Sequence, residues 1–300
     1  YVVRHPSIPM KPWYPDAPIT DIRRVNIPDE WLREHTALLL FETPFDWSTI
    51  ERCHKFGVRT YLVTMYECSS DRFPNTPDVL LCPSLLDRVE FERDYPGICR
   101  LCSIPVEMPW TLRTNALHFV HNGGYLGMRG REGTELLIES LPLIKAPIRL
   151  TIRVQENVSK LHQVMMARDK RVEYINKSVP FDELYGTGDV AVFPQKFNGM
   201  SMPLMEARAS GMMIMTTDRF PTRDWLVPDG MLIPNRGFNN VRLSPRFRVI
   251  EEAIIHPQDI ADTIAACYGM DITESSQRGL DWAVKNNWVA LKPEWERLLA

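Results

Sequence analysis

A loop and a helix start in the second half of the chain hold the residues best suited to binding a phosphorylated ligand. An apolar run at residues 190–193 predicts a buried strand, and Gly199 and Ser201 follow it in a loop. Pro203 and Glu206 then lie in the first turn of a predicted helix, where proline is favoured because its missing N–H needs no partner. Such a helix start offers free N–H groups and partial positive charge to a phosphate, and the Glu206 carboxylate can accept hydrogen bonds from both hydroxyls of a ribose. The segment predicts nucleotide binding; a capped helix with a dipole-stabilising glutamate is the alternative interpretation.

A second segment has the composition of a phosphate-binding loop. A predicted strand at residues 117–121 runs into Gly123 and Gly124, and a basic loop with Arg129 and Arg131 leads into a predicted helix at 134–143. Glycines let a backbone approach phosphate closely. Guanidinium groups can neutralise the charge that develops on a departing diphosphate. A basic surface loop is the alternative interpretation.

The first segment resembles the signature of the GT-B glycosyltransferases, in particular the large retaining group called family 4. That signature reads Glu-Gly-Phe-Gly-x-Pro-x-x-Glu followed by Ala, and here the run from Asn198 to Glu206 is followed by Ala207. The resemblance implies that Glu206 binds the donor ribose and that Asn198, in place of the family's first glutamate, contacts the donor sugar. An amide can donate to and accept from hydroxyls, but it removes a negative charge beside the reacting centre. The resemblance also assigns donor binding to the residues around the motif: Lys196, Gly199, Met200, Ser201 and Met202.

Two further segments resemble the same family. Residues 121–142 are similar to its Gly-Arg-(loop)-Lys-Gly element, which implies that Arg129 and Arg131 stabilise the departing diphosphate; the family's lysine falls on Glu132. In the first half, Tyr66 and Glu67 stand where many relatives have a histidine near the donor sugar. By position, the resemblance also places three residues beside the nucleotide base: Asn176, Lys177 and Ser178.

Alternating apolar runs and amphipathic stretches predict the elements that must position these residues. The pattern is typical of an α/β fold with mostly parallel sheets, and the resemblance implies GT-B, two Rossmann-like domains facing each other across a cleft. We expect an N-terminal acceptor-side domain at 1–112, a nucleotide-sugar-binding domain at 113–280, and a terminal helix at 281–300 that returns to the first domain. Predicted strands lie at 37–41, 60–64, 79–82, 99–104, 117–121, 148–154, 172–175, 190–193 and 213–216.

Composition argues against a polyanion-binding first half, a disulfide framework and a membrane span. The 300 residues are 44% hydrophobic and 24% charged, and the formal net charge is −3. Residues 1–112 hold 12 Lys and Arg against 16 Asp and Glu, so bulk charge does not make the first half a polyanion-binding surface. The six scattered cysteines are typical of buried free thiols in a reducing compartment. With no apolar run long enough to cross a bilayer, we expect a cytoplasmic protein, in the host cytoplasm if it is encoded by a phage.

The resemblance implies a retaining, metal-independent transferase that takes a sugar from a nucleotide diphosphate donor, by family frequency UDP-glucose. The sequence has no H-E-x-x-H, HxH or D-x-D pattern, so we expect no metal and no cofactor beyond the donor substrate. The acceptor is a glycan or small molecule, or, as in phage-type enzymes, a hydroxymethylated DNA base. Two other interpretations stay open: a nucleotide-sugar epimerase or hydrolase, and a non-catalytic binding protein, which Asn198 suggests. The sequence does not indicate the oligomeric state.

Overall fold

Two parallel sheets, one from each half of the chain, organise the protein. The computed structural model describes residues 2–4, 19–21, 27–44, 46–124, 130–180, 183–225 and 229–300. Parallel neighbours can be joined only by crossover connections, and helices supply most of them here. The predicted α/β class with two Rossmann-like halves is confirmed.

The first sheet has four strands in chain order. They are β3 (Ala37–Phe41), β4 (Arg59–Val63), β5 (Val79–Cys82) and β6 (Cys99–Leu101), preceded by a separate parallel pair, β1 (Val2–Arg4) and β2 (Ile19–Asp21). The helices of this half are α1 (Asp29–Arg33), α2 (Ser48–Phe56) and α3 (Leu85–Asp94), with a 3₁₀ turn at Tyr66–Cys68. Ser84 caps α3, since its Oγ accepts a hydrogen bond from the Asp87 N–H at 3.0 Å.

The second sheet has six strands, and their order reverses in the middle. The strands are β7 (His118–Gly124), β8 (Arg149–Val154), β9 (Val172–Asn176), β10 (Val190–Phe193), β11 (Met213–Thr217) and β12 (Met231–Ile233). They lie in the order β12-β11-β10-β7-β8-β9. Counted within this sheet, that is 3-2-1-4-5-6, the doubly wound order, with its switch point between β7 and β10.

Helices cover both faces of the second sheet and enclose its core. They are α4 (Thr134–Ser140), α5 (Lys160–Arg168), α6 (Met202–Ala209), α7 (Thr222–Trp225), α8 (Pro257–Cys267) and α9 (Thr273–Lys285). The last helix, α10 (Trp288–Leu299), follows α9 and contacts the first half instead. The strands read as apolar runs because both of their faces are buried: Phe119, Leu150, Val192 and Met215 are each at most 1% exposed. No helix among the described residues is long and apolar enough to cross a membrane.

An antiparallel hairpin extends from the second half onto the first. Its strands, β13 (Phe238–Arg242) and β14 (Val249–Ala253), pair with each other outside both sheets. The Arg248 guanidinium, 5% exposed, donates to the Ser70 carbonyl oxygen and pairs with Asp94, both at 3.2 Å. It also lies over the Tyr66 and Phe91 rings, 5.1 and 4.7 Å from their centroids. The hairpin therefore ties the halves together on one side of the cleft.

The C-terminal helix ties the halves together at a second place. In α10, the Trp295 indole N–H donates to the Ser103 carbonyl oxygen at 2.9 Å, and the Ser103 N–H donates to Glu294 at 2.7 Å. The Tyr61 hydroxyl, in β4, donates to the Leu299 carbonyl oxygen at 2.9 Å. Aromatic and backbone groups at the end of the chain thus lie against the first half.

Several predicted strands begin or end one residue away from the prediction, and two have ends that differ by three residues. The strand predicted at 117–121 continues to Gly124, because Asn122 and Gly124 still pair with β8 across a local irregularity. The strand predicted at 99–104 ends at Leu101. There the Ser103 N–H turns away from the sheet to Glu294 in α10.

Candidate active site

The site lies at the carboxyl ends of the second sheet's strands, where the strand order reverses. In open α/β sheets, ligands bind in the crevice beside such a switch point. The loop after β7 leads to Arg131 and the start of α4, and the loop after β10 leads to Asn198 and the start of α6. Both predicted phosphate-binding segments therefore meet at the same edge of the sheet.

The two loops are fixed to each other by hydrogen bonds. The Gln195 amide donates to Glu132 Oε2 at 2.8 Å and to Ser201 Oγ at 2.7 Å. The Lys196 N–H donates to the Arg131 carbonyl oxygen at 2.8 Å. Gln195, Glu132 and Ser201 are all buried, so these bonds hold the start of α6 beside the start of α4.

Glu206 lies one turn into α6 and is partly buried. Its Oε2 accepts a hydrogen bond from the hydroxyl of Tyr185, a buried residue, at 2.9 Å. Burial raises the pKa of Glu206 to about 7, and the Tyr185 hydrogen bond acts in the opposite direction. The carboxyl group is therefore poised to change charge near neutral pH.

Arg131 reaches across the cleft between the two halves. Its Nε pairs with Glu132 Oε1 at 3.1 Å, and its Nη1 pairs with Oε1 of Glu67, from the first half, at 3.4 Å. Glu132 occupies the position at which the family pattern has a lysine, and here it holds the guanidinium in place. The other predicted arginine, Arg129, lies outside the residues that the structure describes.

Glu67 is a functional candidate to which sequence reasoning assigned no role, although the residue stands where many relatives have a histidine. It follows β4 in the 3₁₀ turn, is 2% exposed, and its Oε2 has no hydrogen-bond partner among the described residues. Burial raises the pKa of Glu67, and the backbone N–H groups of Glu67 and Gly199 and the charges of Arg131 and Arg219 act in the opposite direction. A glutamate directly after an apolar strand run was the available signal, but its partners come from distant parts of the chain.

Arg219 and Asn198 extend this cluster on the second half. The buried Arg219 donates from Nη1 to the Asn198 carbonyl oxygen at 2.7 Å. Burial lowers the pKa of Arg219 to about 10, opposed by the carboxylates of Glu67 and Glu251. Asn198 is 4% exposed, and its Oδ1 has no hydrogen-bond partner among the described residues.

Gly199 lies close to side chains of the first half. A Cβ at this position would lie 2.9 Å from Asp87 Oδ2, 3.3 Å from Ser84 Oγ and 3.4 Å from Glu67 Oε2. A larger residue here would require the Asp87 side chain or the loop to shift. The loop between Asn198 and Ser201 thus forms the second half's wall of the cleft.

The predicted Gly-Gly pair lies at the carboxyl end of β7. Gly123 is buried within β7, and a Cβ there would lie 2.6 Å from Thr134 Oγ1. Close packing on α4 therefore explains this glycine. Gly124 is exposed at the strand end, and its carbonyl oxygen accepts from the Gln155 N–H at 2.7 Å.

The three residues predicted beside the nucleotide base lie at the same edge of the sheet. Asn176 ends β9 and donates a hydrogen bond to Asn157, and Ser178 accepts one from Gln155 at 3.2 Å. These two residues and Lys177 are exposed. Of the remaining predicted donor-binding residues, Met200 is half-buried in the loop and Met202 is the first residue of α6.

A cavity of about 290 Å³ opens between the halves beside the cluster. The first half, the loop after β10 and the hairpin all contribute to its wall, which includes Tyr66, Glu67, Asn198, Arg219 and Val249. Among the described residues, no three His, Cys, Asp or Glu side chains are grouped so that they could hold a metal ion. The arrangement therefore offers hydrogen-bond acceptors and guanidinium donors to a polar ligand.

Part of the chain is similar to a known protein family. Residues 121–240, which span both predicted phosphate-binding segments, match the family described as "Glycosyl transferases group 1". A search of curated protein sequences gives no match.

Several solved structures share the fold. HepE of Anabaena, in complex with UDP and glucose, has a TM-score of 0.66 at 10% identity, over 94% of this chain and 85% of that one. Sucrose-phosphate synthase from Thermosynechococcus elongatus has a TM-score of 0.62 at 13% identity, over 88% and 73%. A TarM variant of S. aureus, in complex with fondaparinux, α-GlcNAc-glycerol and UDP, has a TM-score of 0.62 at 12% identity, over 87% and 55%.

At these identities the likeness defines the fold alone. The chain has the GT-B architecture, two Rossmann-like domains facing each other across a cleft. It spans about half the length of TarM, 55% of that chain.

Proposed function

We propose that this protein is a glycosyltransferase that takes glucose from UDP-glucose and transfers it to a hydroxyl acceptor with retention of the anomeric configuration. One observation carries the proposal: the segment after β7, with Arg131, and the segment after β10, with the start of α6 and Glu206, both follow strands at the switch point of the second sheet. The match of residues 121–240 to group 1 glycosyltransferases supports sugar transfer. The UDP bound in the HepE and TarM structures supports uridine as the base.

The proposed donor pose follows the charges of the site. Glu206 accepts hydrogen bonds from the ribose hydroxyls, with the Tyr185 hydroxyl orienting its carboxylate. Arg131 and the free N–H groups at the start of α6 receive the diphosphate. Glu67 and Glu132 already pair with Arg131, so its guanidinium is oriented before the donor arrives.

The proposed chemistry breaks the bond between the anomeric carbon and the diphosphate oxygen. The acceptor oxygen bonds to the anomeric carbon on the face that the diphosphate leaves, and the departing diphosphate takes the acceptor's proton. Arg131 stabilises the negative charge that develops on the diphosphate, the usual largest contribution of such a site. Retention follows from attack on the same face and needs no covalent intermediate on the protein.

The donor is tested by isothermal titration of UDP, GDP and ADP. We expect UDP to bind more tightly than GDP and ADP, and absence of binding by all three would reject the donor site. Labelled UDP-glucose with simple glycans, small hydroxyl compounds or hydroxymethylated DNA then identifies the acceptor. NMR of the product's anomeric proton reports retention or inversion.

A non-catalytic binding protein is the second candidate, because Asn198 stands where the family has a carboxylate. That protein would bind UDP-glucose and release neither glucose nor UDP with any acceptor. An epimerase or hydrolase would instead convert UDP-glucose without an acceptor, which product chromatography detects. A rate of sugar transfer to an acceptor that exceeds the rate of UDP-glucose hydrolysis supports the transferase against both the binding protein and the epimerase or hydrolase.

A further inference from the structure

The wall of the cleft cavity carries unpaired polar atoms from both halves. Glu67 Oε2, Asn198 Oδ1 and Arg219 Nε are all buried, and none has a hydrogen-bond partner among the described residues. All three residues line the cavity of about 290 Å³. Buried polar groups without partners are costly in a native protein, and such groups gathered around one cavity indicate a ligand that pairs with them.

The chemistry of these atoms selects hydroxyl groups. A carboxylate oxygen and an amide oxygen accept hydrogen bonds, and a guanidinium nitrogen donates one. A sugar hydroxyl does both, so adjacent hydroxyls of a sugar ring can pair with all three atoms. A second phosphate is a poorer ligand, since the Glu67 carboxylate repels it.

Glu67 lies beside the loop after β10, in which Asn198 stands where the family pattern has a glutamate. Its Oε2 is 3.4 Å from the position that a Cβ of Gly199 would take, one residue beyond Asn198. Its Oε1 pairs with Arg131, the proposed ligand of the diphosphate, at 3.4 Å. A hydrogen bond from a sugar hydroxyl to Oε2 would therefore join the sugar to the guanidinium that holds the leaving group.

We propose that Glu67, reaching across from the first half, supplies the carboxylate that binds the donor sugar's hydroxyls in place of Asn198. The inference rests on the proposed function, because it assigns the sugar subsite of that donor. Its consequence is that the sugar subsite forms only when the two halves are closed, whereas the nucleotide subsite around Glu206 belongs to the second half alone.

The test compares the affinities of UDP and UDP-glucose in Glu67→Gln, measured by isothermal titration. The variant keeps the shape of the side chain and removes its charge, and hydrogen bonds to charged groups are about twice as strong as neutral ones. We expect UDP affinity within about 3-fold of the wild type and UDP-glucose affinity about 10-fold weaker. Glu132→Gln is the matched control, because Glu132 also pairs with Arg131 but does not line the cavity. It should leave the ratio of the two affinities unchanged.

A double variant, Glu67→Gln with Asn198→Glu, moves the carboxylate to the second half and should recover most of the lost UDP-glucose affinity. An unchanged ratio in Glu67→Gln would overturn the inference while leaving the proposed function intact. Equal losses for UDP and UDP-glucose would overturn it too, since Glu67 would then act only by holding Arg131. A wild-type protein that binds neither ligand would reject the proposed function, and the inference with it.

Discussion

The pH dependence of UDP binding gives a quantitative test of the role proposed for Glu206. Burial raises the pKa of this carboxyl to about 7, so it is roughly one-tenth ionised at pH 6 and roughly nine-tenths ionised at pH 8. Only the ionised form can accept hydrogen bonds from both ribose hydroxyls with both oxygens. Affinity for UDP should therefore fall about 10-fold as the pH falls from 8 to 6.

Isothermal titration at pH 6, 7 and 8, at constant ionic strength, measures this dependence. The phosphate groups of UDP also titrate in this range. Glu206→Gln is therefore the control, because it reports the part of the pH dependence that comes from UDP itself. The variant should bind UDP less tightly at pH 8 and show a much smaller change with pH. Tyr185→Phe removes the hydrogen bond that favours the ionised form, so it should move the transition to higher pH. The reasoning is refuted if the wild type and Glu206→Gln change in parallel.

Three further predictions concern the cleft. Arg131→Ala should lower the rate of sugar transfer about 100-fold or more, because the departing diphosphate loses a charged donor. Steady-state kinetics measure this rate, and a decrease of less than about 3-fold would contradict the role of Arg131. Arg248→Ala should lower the free energy of unfolding by about 2–4 kcal/mol, because the guanidinium is buried against two rings and Asp94. Chemical denaturation measures this, and the control Arg246→Ala, at an exposed position of the same segment, should leave the free energy of unfolding almost unchanged. Gly199→Ala should lower the rate of transfer while UDP still binds, since its Cβ would lie 2.9 Å from Asp87 Oδ2 and one of the two must shift. An unchanged rate of transfer would contradict the close approach.

Local patterns were sufficient to predict the elements that carry the motif. The apolar run of β10 is buried on both faces, and Pro203 lies in the first turn of α6, so strand, loop and helix follow from the sequence. Glu206 could be recognised as a candidate because its role depends on its own helix. Several strand ends differ from the prediction by one residue, and the strand predicted at 99–104 ends early where the Ser103 N–H donates to Glu294.

The rest of the site depends on contacts between distant segments, which local patterns do not encode. Glu67 meets Arg131 across 64 positions in the chain, and its importance appears only when the halves come together. The hairpin was missed because β13 is largely exposed and shows no apolar alternation. Its attachment through Arg248 depends on rings from the other half.

A crystal structure with UDP-glucose bound tests the central claim most directly. We expect the ribose hydroxyls within about 3.2 Å of the Glu206 carboxylate, the diphosphate on Arg131 and the start of α6, and the glucose ring between Asn198 and Glu67. A donor bound elsewhere, or a Glu206 side chain that stays bonded only to Tyr185 while the nucleotide is bound, would contradict the account.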